Sequence, residues 1–467
     1  MIMPAPGVPM IIENRPYDQL EIGDQAELRR FCSEQDLLVF AVATGNHNPM
    51  HLPDADFDGD GQPEAIASGI FVAALVSSLL GTVLPGPGTL YQSQSLTFHS
   101  HARAGETLCA RVRVVEKFAD GRVRLETEVV LDGTSTRILS GEAVVLAPRV
   151  GRSFDGADLP GLVVQQHRQF DALIQRAEAL SPLVCAVVCP HSPEALDGAL
   201  VAMRRGLIRP ILLGDPAKIR AVAEGLGLGL DGVQIIEAAE EEGAARAGVE
   251  LVRSGQAGAL MKGPLHTDAL LRPVLDKAQG LMAGNRLSHV FVMDVPALPH
   301  PLLITDAAIN IAPDLADKAA ITQNAIDLAR AIGIRRPRVA ILSAVETVNP
   351  AIPSSVDGAL LAKMAERGQI TGGVVDGPLA LDNAVDVGAA RAKGIRSLVA
   401  GRAEVLVVPG LEAGNLLAKE LIYLSGAEAA GVALGASVPI ILTSRADSAK
   451  ARLASAAIAV LWAHRAG

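Results

Sequence analysis

Apolar and polar positions change rhythm once along the chain. Over residues 108–118, 121–131 and 135–146 they alternate, and turn signals at Asp120-Gly121 and Asp132-Gly133 separate the runs. Period-two alternation marks strands with one covered face, so these runs predict an antiparallel sheet. Upstream, no Asp, Glu, Lys or Arg occurs between Glu64 and Arg103, and 65–84 is about the length of a membrane span. Ser68, Gly69, Ser77, Ser78 and Gly81 interrupt this run, and polar chain follows soon after. A helix enclosed by the sheet accounts for it better than a transmembrane segment. The region up to residue 147 therefore reads as α+β.

Beyond a Pro/Gly/charge-mixed stretch at 148–161, the pattern becomes strand then helix, repeatedly. Short apolar runs at 184–188, 210–213, 233–236, 257–261, 339–342, 405–408 and 439–443 alternate with amphipathic stretches such as 315–332 and 417–424. That grammar predicts an α/β domain with a mostly parallel, doubly wound sheet. At 467 residues the chain exceeds one ordinary core. The predicted division is 1–147, a linker at 148–161, and 162–467. In a doubly wound sheet, ligands bind beyond the carboxyl ends of strands, so the loops after those runs are the candidate sites.

Composition narrows the function. The net charge of −10 argues against a nucleic-acid partner, and the short basic cluster Arg335-Arg336-Pro337-Arg338 reads as a solvated loop. No Walker loop is present. Gly225-Leu226-Gly227-Leu228-Gly229 follows a helix, so it reads as a helix stop rather than a dinucleotide turn. Cys185 and Cys189 are four apart in an apolar run, which predicts that both face the same side of a buried sheet. The opening residues lack a basic n-region and an apolar h-region, which predicts no signal peptide and a cytoplasmic location.

Polar residues concentrate in strand-end loops: Met261-Lys262-Gly263 with Leu271-Arg272-Pro273, Ile304-Thr305-Asp306 to Asn310, Val375-Asp376-Gly377-Pro378 with Glu412-Ala413-Gly414-Asn415, and Leu442-Thr443-Ser444-Arg445-Ala446-Asp447-Ser448. Singly, each is an ordinary cap or turn. Together they offer a helix N-terminus with free amides, a hydroxyl and guanidinium groups, which is what a phosphate site needs. In these blocks, and in Ser288-His289-Val290-Phe291-Val292-Met293, the sequence from about residue 182 onward resembles the phosphate acetyl/butyryltransferase family. The resemblance implies two α/β subdomains of isocitrate-dehydrogenase type around a cleft, and no metal. It also implies direct attack of the CoA thiolate on an acyl phosphate, or of phosphate on acyl-CoA. Carried over by position, Ser444 would hold the thiol or the developing oxyanion and Arg445 the phosphate. Arg272 would be a second phosphate clamp. Lys262, Asp306, Asn310, Asp376 and Asn415 would complete substrate binding. The acetyl-specific branch places its thiol base where this chain has Ala451, and Asp447 is the nearest substitute. The pattern looks closer to the butyryl-type branch.

In the first region, Ala43-Thr44-Gly45-Asn46-His47-Asn48-Pro49-Met50-His51 followed by the apolar helix resembles the MaoC-like hot-dog hydratases. Those enzymes add water to a trans-2-enoyl-CoA with an Asp and a His, while a backbone amide polarises the thioester carbonyl. By position these would be Asn46, His51 and the amide of Gly69. Asn46 replaces the family's Asp and Ser68 its His, so either His51 works alone, with His47 as helper, or the domain binds acyl-CoA without hydrating it. The expected partners are acyl-CoA, acyl phosphate and inorganic phosphate, with no permanent cofactor, no nucleic acid and no membrane. A homo-oligomer, at least a dimer, is expected. The competing readings are a metal- and NAD-dependent dehydrogenase using Asp382 and Asp386, and a first domain that serves as a holding and oligomerisation platform.

Overall fold

The computed structural model describes residues 11–53, 65–155, 167–284, 286–443 and 447–465. The chain divides into two compact units, 1–164 and 165–467.

The first unit runs β1 (Ile11–Glu13), β2 (Gln25–Phe31), α1 (Glu34–Thr44), α2 (Gly69–Thr82), β3 (Leu90–Gln94), β4 (Thr97–Phe98), β5 (Thr107–Lys117), β6 (Arg122–Leu131), β7 (Arg137–Leu146) and β8 (Ser153–Asp155). The three alternating runs are β5, β6 and β7, paired antiparallel, with β2 beside β5 and with β3 and β4 along β7. Alternation sends Leu108, Ala110, Val112 and Val114 of β5 inward, while Arg111 and Arg113 face out. The inward set packs with Val72, Val76, Leu79 and Leu80 of α2. A sheet around one apolar helix is the hot-dog arrangement, and it explains the charge-free run. Part of the stretch expected to be a linker belongs to this unit, since β8 pairs with β1 through Ile12↔Phe154.

The second unit continues with α3 (Arg168–Glu178), β9 (Leu183–Val188), α4 (Pro193–Arg204), β10 (Ile208–Gly214), α5 (Pro216–Gly225), β11 (Gln234–Glu237), α6 (Glu241–Arg253), β12 (Ala259–Lys262), α7 (Thr267–Val274), β13 (Ser288–Asp294), β14 (Leu302–Thr305), α8 (Leu315–Ala331), β15 (Arg338–Leu342), α9 (Pro353–Glu366), β16 (Val374–Leu379), α10 (Leu381–Val385), α11 (Val387–Ala392), β17 (Val405–Val407), α12 (Leu411–Tyr423), β18 (Glu428–Leu434), β19 (Ile440–Ile441) and α13 (Ala449–Ala463). One sheet has the order β11-β10-β9-β12-β19-β18-β13-β14-β17-β15-β16. Its two ends are parallel blocks, β11 to β19 and β14 to β16. Between them, β18 and β13 pair antiparallel with each other and with their outer neighbours β19 and β14. Three reversals leave the two blocks pointing opposite ways.

One expectation fails here. Cys185 packs in the apolar cluster on one face of β9 and Cys189 in the cluster on the other. The strand ends at Val188, and Cys189 takes a left-handed φ of 52°, which breaks the alternation. All four cysteines are buried and free. Burial pushes the Cys185 thiol up to about 12 and Cys189 up to about 11, so neither is poised to react.

Candidate functional site

Strands β9, β12 and β19 lie side by side and parallel, so their carboxyl ends open on one edge of the sheet. The β9 and β12 ends are pressed together: a Cβ on Gly263 would overlap the carbonyl oxygen of Cys189, so glycine alone fits there. Lys262 donates from Nζ to the carbonyls of Gly263 and Leu265, at 3.1 and 3.0 Å, bracing the turn into α7. At the end of β19, the buried Thr443 receives a hydrogen bond from Arg452 Nη1 at 3.2 Å. Ser448 caps α13, its Oγ accepting from the Ala451 amide at 3.0 Å and donating to Glu428 Oε1 at 3.3 Å. Ser444 and Arg445 lie outside the described residues, in the sequence between Thr443 and the half-buried Asp447. A helix start carries amides with no intrahelical acceptor and the positive end of the dipole, so the chain enters an anion-favouring setting there.

Arg452, Glu428 and His191 were not anticipated. His191, just past β9, accepts from the Asp215 amide at Nε2 (3.2 Å), and burial, then Lys218, lowers its pKa. No local motif marks these three. Glu428 becomes a site neighbour through strand order, Arg452 through the first turns of α13 and His191 through the loop after β9.

A second cluster forms at the carboxyl end of β14. Asp306 is buried, and both its oxygens are engaged. Oδ1 accepts from the amides of Ala308 and Ile309, and Oδ2 from those of His289 and Asn310 and from Asn310 Nδ2. Asn310 also donates to the Leu287 carbonyl at 2.8 Å and accepts from Arg286 Nε at 2.7 Å. Asn415 donates to the Ala307 carbonyl at 3.3 Å. Asp306 and Asn310, expected to bind substrate, organise this loop and hold the exposed Arg286, which also reaches Asp317 at 3.4 Å. Asp306→Ala is therefore expected to destabilise the fold by about 3 kcal/mol or more, because each stranded buried donor costs about 1–3 kcal/mol. Urea denaturation measures this, and a loss below about 1 kcal/mol would contradict the assignment.

Two other expected site residues sit elsewhere. Asp376 accepts from the Gly377 amide at 2.8 Å and lines a groove on the edge strand with Arg336 and Lys363. Arg272 is exposed in a groove with Arg246 and Arg253 of α6, which Lys262 and Thr443 do not line. The aspartates of the dehydrogenase alternative are engaged as well: Asp382 pairs with Lys393 at 3.0 Å, and Asp386 caps α11 through the Ala389 amide at 2.6 Å.

In the first unit, Asn46, His51 and Ser68 come together in one narrow pocket, walled by Leu37, Phe40, Ala41 and Phe71. His51 Nδ1 lies 2.8 Å from the Ile66 carbonyl, which can only accept. Nδ1 therefore carries the hydrogen, and in the neutral ring Nε2 is left as an acceptor. Asn46 Oδ1 accepts from the Asn48 amide at 3.1 Å. Gly69 opens α2, where the first amides lack intrahelical acceptors, and a Cβ on it would sit 2.8 Å from the Phe98 ring. His47 is exposed.

Comparison with known proteins agrees with both halves. The family model for phosphate acetyl/butaryl transferase matches residues 241–460, and that for a MaoC like domain matches 19–135. Phosphate acetyltransferase of Rhizobium meliloti is 56% identical over 300 residues, covering 64% of this chain and 95% of its own. Phosphate butyryltransferase of Clostridium beijerinckii is 42% identical over 298 residues, covering 64% and 99%. Among solved structures, a branched-chain phosphotransacylase from Enterococcus faecalis V583 is 30% identical with a TM-score of 0.53, covering 61% of this chain and 100% of its own. The chain therefore belongs to the phosphate acetyl/butyryltransferase family, and it carries a MaoC-like domain ahead of the transferase segment.

Proposed function

We propose that the second unit transfers an acyl group between coenzyme A and inorganic phosphate. The observation that carries this reading is the junction between β19 and α13. There Ser444-Arg445 lie in the sequence between the buried end of β19 and the capped start of α13, with Lys262 at the end of the neighbouring strand β12 and Arg452 bonded to Thr443. In the forward direction the CoA thiolate attacks the carbonyl carbon of an acyl phosphate. The thioester bond forms, the carbon–oxygen bond to phosphate breaks, and phosphate leaves with the electron pair. Arg445 holds the phosphate in a two-pronged grip, and Ser444 meets the thiol or the oxyanion. Neither group needs a resident cofactor. We read the two parallel blocks of the sheet as the two subdomains of an isocitrate-dehydrogenase-type arrangement. Phosphate-dependent thiol release from acetyl-CoA and butyryl-CoA, in chelator and without NAD, tests the reading. Activity that requires metal and NAD would favour the dehydrogenase instead. The same series fixes the acyl length: the greater identity to an acetyltransferase makes acetyl the first substrate to try, and the butyryl-like block pattern makes longer chains the second.

The first unit is read as a holder of acyl-CoA thioesters with a weakened or altered hydratase site, given His51, Gly69 and the missing carboxylate at Asn46. Its open edge strand β3 exposes Leu90 and Tyr91, with Phe98 of β4 exposed nearby. An uncovered apolar edge invites pairing, so a homo-oligomer, at least a dimer, is expected. Light scattering at micromolar concentration should give at least twice the 48.4 kDa chain mass. A single-chain mass would refute it. Among the described residues no helix is long and apolar enough to cross a membrane. With acyl-CoA substrates and free buried thiols, we place the protein in the cytoplasm.

A further inference from the structure

We infer that Glu428 is the proton acceptor for the CoA thiol, acting through the hydroxyl of Ser448. The inference rests on the transfer reading above and supplies the base which that reading lacks. Ala451, where the acetyl-specific branch places a carboxylate, is buried in the first turn of α13 and has nothing to ionise. Glu428 reaches the same corner from a different element. It is the first residue of β18, and β18 is hydrogen-bonded antiparallel to the strand that leads into the site. Its Oε1 takes the Ser448 hydroxyl at 3.3 Å, and its Oε2 is a buried atom with no hydrogen-bond partner. A buried acceptor without a donor is uncommon and calls for an explanation. With Oε2 held by no donor, Oε1 is the oxygen placed to take a proton from the Ser448 hydroxyl.

Ser448 is exposed and its Oγ holds two bonds, one accepted and one donated. A thiol approaching it can pass its proton to Oγ while the hydroxyl proton moves to Glu428. The thiolate then attacks the acyl carbon, and the proton returns by the same route in the reverse direction. The neighbouring charged groups are otherwise occupied. Asp294, opposite on β13, accepts from the Phe170 amide at 3.0 Å, and His167 contacts its backbone carbonyl. Lys450 pairs with Asp171 at 2.8 Å, and Arg452 donates to Thr443. Asp447 is the carboxylate nearest to Ser448 in the sequence, and it is the competitor in the test.

At pH 7 a thiol with a pKa of about 8.5 is roughly 3% thiolate, so an effective base is worth up to about 30-fold. Glu428→Gln should lower turnover of acetyl phosphate with CoA by about 30-fold at pH 7. The loss should shrink about tenfold per pH unit and close near pH 8.5, with KM for both substrates changed little. Ser448→Ala should show the same pH-dependent loss, and Ser448→Thr, which keeps a hydroxyl, should lose much less. A purely structural cap would give a loss independent of pH. That result, or an unchanged profile for Glu428→Gln, or the pH-dependent loss appearing in Asp447→Asn instead, would overturn the inference while leaving acyl transfer intact. Should Glu428→Gln fail to fold by thermal melting, the two Ser448 variants decide alone. An inactive wild-type protein would overturn the transfer reading, and this inference with it.

Discussion

Replacing Arg445 with alanine is expected to reduce phosphate-dependent acyl transfer by about 10³-fold while the protein stays folded. Phosphate carries up to two negative charges, and a guanidinium meets it with two parallel N–H groups, fixing both position and charge. In the sequence Arg445 stands between the buried Thr443, just past β19, and Ser448, which caps α13. Arg452 is already engaged with Thr443 and Lys262 with its own turn, so neither is free to take over a bidentate grip. Arg445→Lys keeps the charge and loses the fork, and it should recover only a small part of the rate. Steady-state kinetics at saturating phosphate, with a thermal melt as the control for folding, checks this. Activity within a few-fold of wild type for Arg445→Ala would remove the residue from the mechanism.

Asn46→Asp is expected to raise hydration of crotonyl-CoA by about 10²-fold if the absent base is the main defect. The geometry favours such a gain. His51 lines the pocket, and with Nδ1 on the Ile66 carbonyl the Nε2 of a neutral ring is able to accept. Asn46 uses Oδ1 on the Asn48 amide, so its other terminal atom is an amide nitrogen, which donates and cannot take a proton. An aspartate of the same shape keeps the bond to Asn48 and presents a second oxygen. The walls Leu37, Phe40, Ala41 and Phe71 disfavour charge, so the new carboxylate should ionise late. A base works only when deprotonated, so the gain should grow as pH rises and be largest above neutrality. Thioester binding should hardly change. No gain from about pH 6 to 9, with His51→Ala abolishing residual activity, would make His51 the sole base. If neither substitution matters, the domain holds thioesters without hydrating them.

Much of the fold is legible from pattern because burial imposes it. The alternating runs became β5, β6 and β7, and the charge-free run became α2, since a sheet and the helix it encloses each leave a periodic record. The strand-helix repeats of the second unit are equally plain. The antiparallel centre is less plain: β13 joins β14, and β18 joins β19, through short loops with no helix, which fits antiparallel pairs, but only the strand order shows that β13 and β18 pair with each other. The candidate site divides along the same line. Lys262, Thr443 and Ser448 share a strand-end edge and were readable as loops after apolar runs. Glu428 enters from a neighbouring strand, which only strand order reveals, and Arg452 reaches back from α13 to Thr443. Asp306 is a polar residue in a site-like motif whose acceptors serve its own loop, which the motif alone did not reveal. In the first unit, Asn46 and His51 are close in sequence and line one pocket, which Ser68 joins from the residue before α2.

The central claim is acyl transfer to phosphate, and phosphorus NMR of the purified chain tests it most directly. With acetyl-CoA or butyryl-CoA and inorganic phosphate, in chelator and without NAD, a new acyl-phosphate resonance should grow as free CoA thiol appears in equal amount. Disappearance of the thioester without an acyl-phosphate signal, or no reaction with either substrate, would contradict the account.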